Sequence, residues 1–175
     1  DDLDAIMAAG GLVVPGVGAF RSVVDALRES RADQLIERRV AGGLPVLGIC
    51  VGMQMLATAG HEYEEVAGLG WIGGDVVHID PSDPALKVLH MGWNDLVVDN
   101  AHPVLDGIAT GEHAYFVHSY HFRVADPAHL LAHCDYGGAV TAIVGRDNIV
   151  GTQFHPEKSQ AAGLRLIGNF LNWKP

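Results

Sequence analysis

The chain has 175 residues, about half of them apolar, enough to bury one substantial core but short for two, so a single domain over residues 1–175 is expected. Lys and Arg number 11 against 21 Asp and Glu, and the formal charge of −10 argues against a nucleic-acid backbone or an anionic membrane as partner and favours small polar ligands or another protein. Two cysteines in unrelated contexts, Cys50 and Cys134, argue against a secreted disulfide framework and fit a reducing cytoplasm, and the acidic opening Asp1-Asp2-Leu3-Asp4 is the opposite of a signal peptide.

After a short helical lead-in, Gly11-Leu12-Val13-Val14-Pro15 is a brief apolar run of the kind buried on both faces of a parallel sheet, and it ends in a Gly-rich turn. Over positions 20–42 apolar residues recur at Val23, Val24 and Leu27, then at Leu35, Ile36 and Val40, with Arg and Glu between them, which is the spacing of amphipathic helices. Positions 45–49 read as a second buried strand, followed at once by a helix over 51–59. The uncharged stretch holding both is broken by Pro45, Gly48, Gly52 and Gln54 and is short for a membrane span. Strand, turn and helix in repetition indicate an α/β sheet. The second half changes character: positions 76–79, 88–98 and 115–124 look like strands with little between them, so antiparallel pairing is expected there. Strands at 141–145 and 149–154 flank the polar turn Arg146-Asp147-Asn148 as a hairpin, and His155-Pro156 stops the second of them. Ser159 stands where it can cap a last helix whose expected apolar face is Leu164, Ile167 and Leu171.

Chemistry concentrates in three segments. Val46-Leu47-Gly48-Ile49-Cys50-Val51-Gly52 puts a cysteine at the turn from a buried strand into a helix, with glycines two residues to either side, the pattern of a nucleophile elbow with sulfur in place of oxygen. Free amides at the helix start are expected to lower the thiol pKa, and the Val51 N–H is placed to meet an oxyanion formed when the sulfur attacks a carbonyl. Cys134 has no such flanks and reads as an ordinary strand cysteine. Among ten histidines there is no H-E-x-x-H, and no C-x-x-C accompanies them, so no metal is expected. His155 differs from the rest because Pro156 stiffens the backbone after it and Glu157 follows two residues on. The carboxylate can accept from one imidazole nitrogen and leave the other to carry a proton. The third segment, Gly16-Val17-Gly18, also lies at the carboxyl end of an expected parallel strand, where it could supply a second oxyanion donor. Arg21 stands where a dinucleotide fingerprint needs a small residue, so no nucleotide cofactor is expected.

In order along the chain, PGVGAF, LGICVGMQ, HMGWN, YFVHSY and GTQFHPEKS resemble the class I glutamine amidotransferases, and among them the glutaminase subunits of imidazole glycerol phosphate synthases, from about Gly11 to Trp173. The resemblance implies an α/β, flavodoxin-like three-layer sandwich with a mainly parallel central sheet, helices on both faces and an additional antiparallel region. It implies glutamine hydrolysis through a thioester at Cys50, with His155 and Glu157 completing the triad and no cofactor. Ammonia would pass within a cytoplasmic heterodimer to a (β/α)8-barrel cyclase, for imidazole glycerol phosphate formation in histidine biosynthesis. Carried across by motif, Gly16, Gly18, Gln54, His118, Ser119 and Tyr120 hold the glutamine, Val17 and Val51 furnish oxyanion amides, and Trp93 and Lys158 look towards the cyclase. The oxyanion hole is expected to be completed only when the ligand-bound cyclase docks. An elbow with His-x-Glu would alone indicate any class I amidotransferase, and a catalytically silent scaffold for a barrel partner is the non-enzymatic alternative. HMGWN and YFVHSY oppose the first, and an intact triad opposes the second. Two departures stand out: Leu89 replaces the family's usual proline, and the family's first strand and its Asp-Tyr-Gly-x-Gly-Asn loop are absent ahead of position 1, so the numbered chain is expected to lack that strand.

Overall fold

The computed structural model describes residues 3–175, which leaves Asp1 and Asp2 of the acidic opening outside the described residues. Helix α1 (Leu3–Ala8) leads into strand β1 (Leu12–Gly16), then α2 (Phe20–Glu29), α3 (Ala32–Ala41), β2 (Val46–Cys50) and α4 (Val51–Gln54). Strands follow: β3 (Ala59–Glu62), β4 (Glu64–Ala67), β5 (Gly74–His78), β6 (His90–Asp95), β7 (Val97–Val98), β8 (His113–His118) and β9 (Tyr120–Val124). The chain closes with β10 (Leu130–Asp135), β11 (Ala139–Arg146), β12 (Ile149–Thr152) and α5 (Gln160–Asn172).

The expected α/β architecture is present, and its largest sheet runs β1-β2-β12-β11-β10-β7 among the described residues. The joins of β2 to β1 and to β12 are parallel, while β12–β11, β11–β10 and β10–β7 are antiparallel. The sheet is therefore mixed in direction, where a mainly parallel one was expected. The reason is local: a two-residue turn at Asp147-Asn148, with Asp147 at φ 52°, joins β11 directly to β12, and so short a connection permits only antiparallel pairing. The additional strand region forms two smaller sheets, β4-β3-β5-β9 and β6-β8, antiparallel apart from the β3–β5 join.

Side chains alternate across the central sheet at the strand period of two, so it separates two cores. On β12, Ile149 joins a core with Phe20 and Val24 of α2, Met53 of α4, and Val76 and Phe122 of the second sheet. Its neighbour Val150 joins the opposite core with Leu47, Phe116 and Leu166 and Phe170 of α5. Helices thus cover both faces.

Four local expectations are corrected. Strand β1 is an edge strand in the described sheet, pairing β2 alone, and Val13 is half exposed, where burial on both faces was expected. Helix α4 stops after one turn because the carbonyls of Met55, Leu56 and Ala57 accept from the amides of residues 69–72, which removes the acceptors that further helical turns would use. Helix α5 buries Ala162, Gly163, Leu166 and Phe170 and leaves Leu164 and Leu171 in solvent. Both sets have helical spacing, and the close approach of Gly163 to the Pro156 carbonyl, where a Cβ would stand 1.9 Å from the oxygen, selects the face that docks. Ser159 holds the N-cap position, but its hydroxyl donates to the His155 carbonyl and accepts from the Tyr115 amide, so it ties the His155 turn to β8 and makes no cap bond.

Parallel register is what assembles the site. Gly16 pairs with Cys50 and Ile49 with Thr152, so the carboxyl ends of β1, β2 and β12 lie side by side and the segments after them converge on one rim, the end of an α/β sheet where ligands bind.

Candidate active site

Cys50 sits at φ 57° and ψ −119°. Arg31 shares that φ but lies in the left-handed helical well at ψ 20°, whereas the Cys50 combination is one that a residue with a Cβ adopts only under constraint. The constraint is visible in the neighbouring glycines. A Cβ on Gly52 would stand 1.9 Å from the Val14 carbonyl oxygen, and one on Gly48 would stand 2.5 Å from the Gly52 carbonyl oxygen. Gly16 meets the amide of Gly52 in the same way, at 2.5 Å. Three backbones therefore press together around the elbow and hold its strained turn, which is the close approach that the glycine pair in the sequence indicated. Gly16, expected to touch glutamine, lies buried behind the elbow as part of this packing.

In front of the elbow is a cavity of about 490 Å³ lined by Val17, Gly18, Cys50, Val51, Gln54, Val117, His118, Ser119, Tyr120 and His155, joined by Glu62, Tyr63 and His78. The Gly-Val-Gly turn, the elbow, the turn between β8 and β9, and the segment after β12 thus share one concave space of the size that takes a small polar molecule. The His155 Nδ1 lies 2.9 Å from Glu157 Oε1. A carboxylate can only accept, so Nδ1 carries the proton and the ring's Nε2 is left as the acceptor. The His155 amide donates to the Tyr115 carbonyl at 3.3 Å, and Ser159 Oγ bridges the His155 carbonyl and the Tyr115 amide, so the backbone that carries the imidazole is pinned to β8 on both sides.

Gln54 is buried and its amide nitrogen is fully engaged, donating to the Tyr120 carbonyl at 3.1 Å and to Gln153 Oε1 at 3.0 Å. Gln153, fully buried, then donates from Nε2 to Cys50 Sγ at 3.8 Å. The thiol pKa is raised from its ordinary value, where lowering was expected. Burial is the largest cause; the hydrogen bond from the Val51 amide opposes it, the Glu157 carboxylate adds to it and Lys158 opposes it. The expectation fails because α4 is a single turn and presents few aligned amides, while the sulfur is almost wholly enclosed. Cys134 is likewise buried, and its thiol is pushed up to about 12 by burial and then by Asp135.

Trp93 and Lys158 lie outside the cavity. Trp93 is half exposed on β6 and makes an edge contact with Tyr115 at 5.7 Å, so it is not a core tryptophan, and Lys158 is exposed one residue beyond Glu157. Met91, Leu89 and Val88 are also exposed around this strand. Among the described residues no group of three His, Cys, Asp or Glu side chains is placed to hold a metal, and no helix is long and apolar enough to cross a membrane.

Glu62, Tyr63, His78, Gln153 and His90 were not singled out from the sequence. Gln153 lies inside the segment read for His155, and its burial could have been anticipated from the strand that precedes it. Glu62 and His78 reach the cavity from the second sheet, whose position no local pattern encodes.

The chain matches the sequence model of the glutamine amidotransferase class-I family over residues 2–172. It is 62% identical over 176 residues to a protein of Ruegeria pomeroyi named imidazole glycerol phosphate synthase subunit HisH, covering 99% of this chain and 83% of that one. A protein of the same name from Cereibacter sphaeroides is 59% identical over 180 residues, covering 100% of this chain and 84% of that one. In fold the chain is similar to a crystal structure of a glutamine amidotransferase, with a TM-score of 0.72 at 23% identity over 97% of this chain and 82% of that one. With the elbow, the His-x-Glu pair and the shared cavity in place, the chain belongs to the class I glutamine amidotransferase family, among the HisH subunits of imidazole glycerol phosphate synthase.

Proposed function

We propose that this chain, as a single domain in the cytoplasm, hydrolyses glutamine to glutamate and ammonia and delivers the ammonia to a (β/α)8-barrel cyclase subunit that forms imidazole glycerol phosphate for histidine biosynthesis. The observation that carries the reading is the strained Cys50 elbow opening onto the same cavity as His155, whose other ring nitrogen is held by Glu157 at 2.9 Å. His155 Nε2 takes the thiol proton as the sulfur attacks the amide carbon of glutamine. A buried thiol with a raised pKa makes this base necessary, because little thiolate exists beforehand. The charge that develops on the amide oxygen is met by the amides of Val51 and Val17. Collapse of the tetrahedral species breaks the C–N bond, the imidazolium returns its proton to the departing nitrogen, and ammonia leaves. Water, deprotonated by the same ring, then cleaves the thioester to release glutamate and the thiol.

Gly18, Ser119, Tyr120, His118 and Gln54 line the substrate's space, and Glu62 supplies the carboxylate among the lining residues, suited to an α-ammonium group. The exposed Trp93 and Lys158 belong to the surface that meets the cyclase, since both lie close to the His155 turn yet outside the cavity. A protein partner is needed chemically: ammonia set free in neutral water becomes ammonium, which is no nucleophile, so it must be passed on before it is protonated.

The test is to mix the chain with glutamine, the barrel cyclase and its nucleotide substrate and to measure glutamate release and cyclisation. Cys50→Ala is expected to abolish glutamine-dependent cyclisation while added ammonium salts still support it. Loss of both activities together would refute the division of labour, and equal glutamate release with and without the liganded cyclase would refute an oxyanion hole completed by the partner.

A further inference from the structure

Two buried histidines, His118 in the cavity lining and His90 behind it, carry no proton in the steps above. His90 and His118 are 2% and 6% exposed, and His90 Nδ1 lies 3.0 Å from His118 Nε2. His118 Nδ1 lies 2.8 Å from the Tyr120 carbonyl oxygen. That oxygen can only accept, so His118 carries its proton on Nδ1, its Nε2 accepts, and His90 must donate from Nδ1. His90 Nε2 is then an acceptor, and the Asn94 side-chain amide stands 3.3 Å away to fill it while also donating to the Asp135 carbonyl at 2.8 Å. Along this run Asn94 donates to His90, His90 to His118 and His118 to the Tyr120 carbonyl. Burial keeps both rings uncharged, with pKa values lowered to about 4 for His90 and about 3 for His118.

The connection continues past the pair, with the donor direction reversing at the Tyr120 carbonyl, which accepts from both sides. The Tyr120 carbonyl also accepts from Gln54, Gln54 donates to Gln153, and Gln153 donates to the Cys50 sulfur. A continuous hydrogen-bonded path therefore runs from Asn94 on β6, the strand that exposes Met91 and Trp93 on its other face, to the sulfur. The His90 ring is held flat between Phe116, at 4.8 Å, and Tyr136, at 4.1 Å, which fixes its plane.

We propose that His90 and His118 are positioning residues whose hydrogen bonds hold the Tyr120 carbonyl and, through Gln54 and Gln153, the Cys50 sulfur in the geometry for attack. The proposal rests on the reading of Cys50 as the glutamine nucleophile. A hydrogen-bonding role and a packing role make opposite demands at His90. His90→Asn keeps a donor where Nδ1 was and loses the stacked ring, whereas His90→Phe keeps the stacked ring and loses the donor.

Steady-state glutamine hydrolysis by the chain assembled with its liganded cyclase decides between them. For a positioning role, kcat falls about tenfold or more in His90→Phe and stays within about threefold of wild type in His90→Asn, with KM moving less than about twofold in both. A phenylalanine variant as active as wild type, or more active than the asparagine variant, overturns the proposal. Should the asparagine variant fail to fold, nitrogen-15 spectra of the histidine-labelled wild-type chain carry the decision. Protons on Nδ1 of both rings are expected, and a proton on Nε2 of His118 overturns the path. Absence of glutamine hydrolysis in the wild-type assembly would instead sink the glutaminase reading itself, a result distinguishable from either.

Discussion

Cys50 is held in a backbone conformation that costs about 1–3 kcal/mol, and the glycine contacts around it show where that strain is sustained. Its thiol and that of Cys134 are both raised by burial, but they differ in access, since the first lines a cavity and the second is wholly enclosed. Iodoacetamide is therefore expected to label Cys50 in the native chain, with a rate that climbs through a pH midpoint above the ordinary thiol range, and to leave Cys134 untouched. Mass spectrometry of the labelled peptides checks this, and equal labelling would contradict it. The sign for stability follows the same shift. A thiol whose folded pKa is raised contributes stability that is fully present below its unfolded pKa, so the contribution of Cys134 is lost as pH rises from the ordinary thiol value towards about 12.

At the scale of elements, α5 shows how a helix chooses its buried side. Phe170 is 3% exposed and packs with Leu166 and Trp173, while the adjacent Leu171 is 74% exposed. Phe170→Ala is expected to cost about 3–5 kcal/mol and Leu171→Ala less than about 0.5 kcal/mol, measured by denaturant unfolding at fixed m-value. Comparable costs would mean that the helix docks on the leucine face after all. Helix α4 offers the complementary lesson. A run of good helix formers ends after one turn because distant backbone amides claim its carbonyls, which places Ala59–Glu62 in a strand and brings Glu62 to the cavity.

For the molecule as a whole, the edge formed by β6 and the His155 turn places the exposed Trp93 beside Tyr115, whose backbone holds that turn. A large aromatic left half in solvent at such a place fits a docking residue better than a stabilising one. Trp93→Ala is expected to weaken binding of the barrel cyclase about tenfold or more while the unfolding midpoint of the isolated chain stays close to wild type; calorimetric titration and thermal melts measure the two effects. A fall in the midpoint with unchanged affinity would return Trp93 to a structural role.

Some of this protein could be read from adjacent residues alone, because the physics involved acts over two or three positions. Glycines flanking Cys50 announce a tight elbow, Pro156 and Glu157 announce a fixed imidazole, and Arg146-Asp147-Asn148 announces a hairpin. The α/β class followed from hydrophobic spacing in the same way. What needed three dimensions was every property set by a distant neighbour. The buried side of α5 and the upward shift of the thiol both depend on which surfaces meet, and so does the path from Asn94 through His90, His118, Gln54 and Gln153. Burial and hydrogen-bond partnership are relations between segments up to about a hundred positions apart, as Gln54 with Gln153 illustrates at 99, and only the folded chain brings such segments within reach.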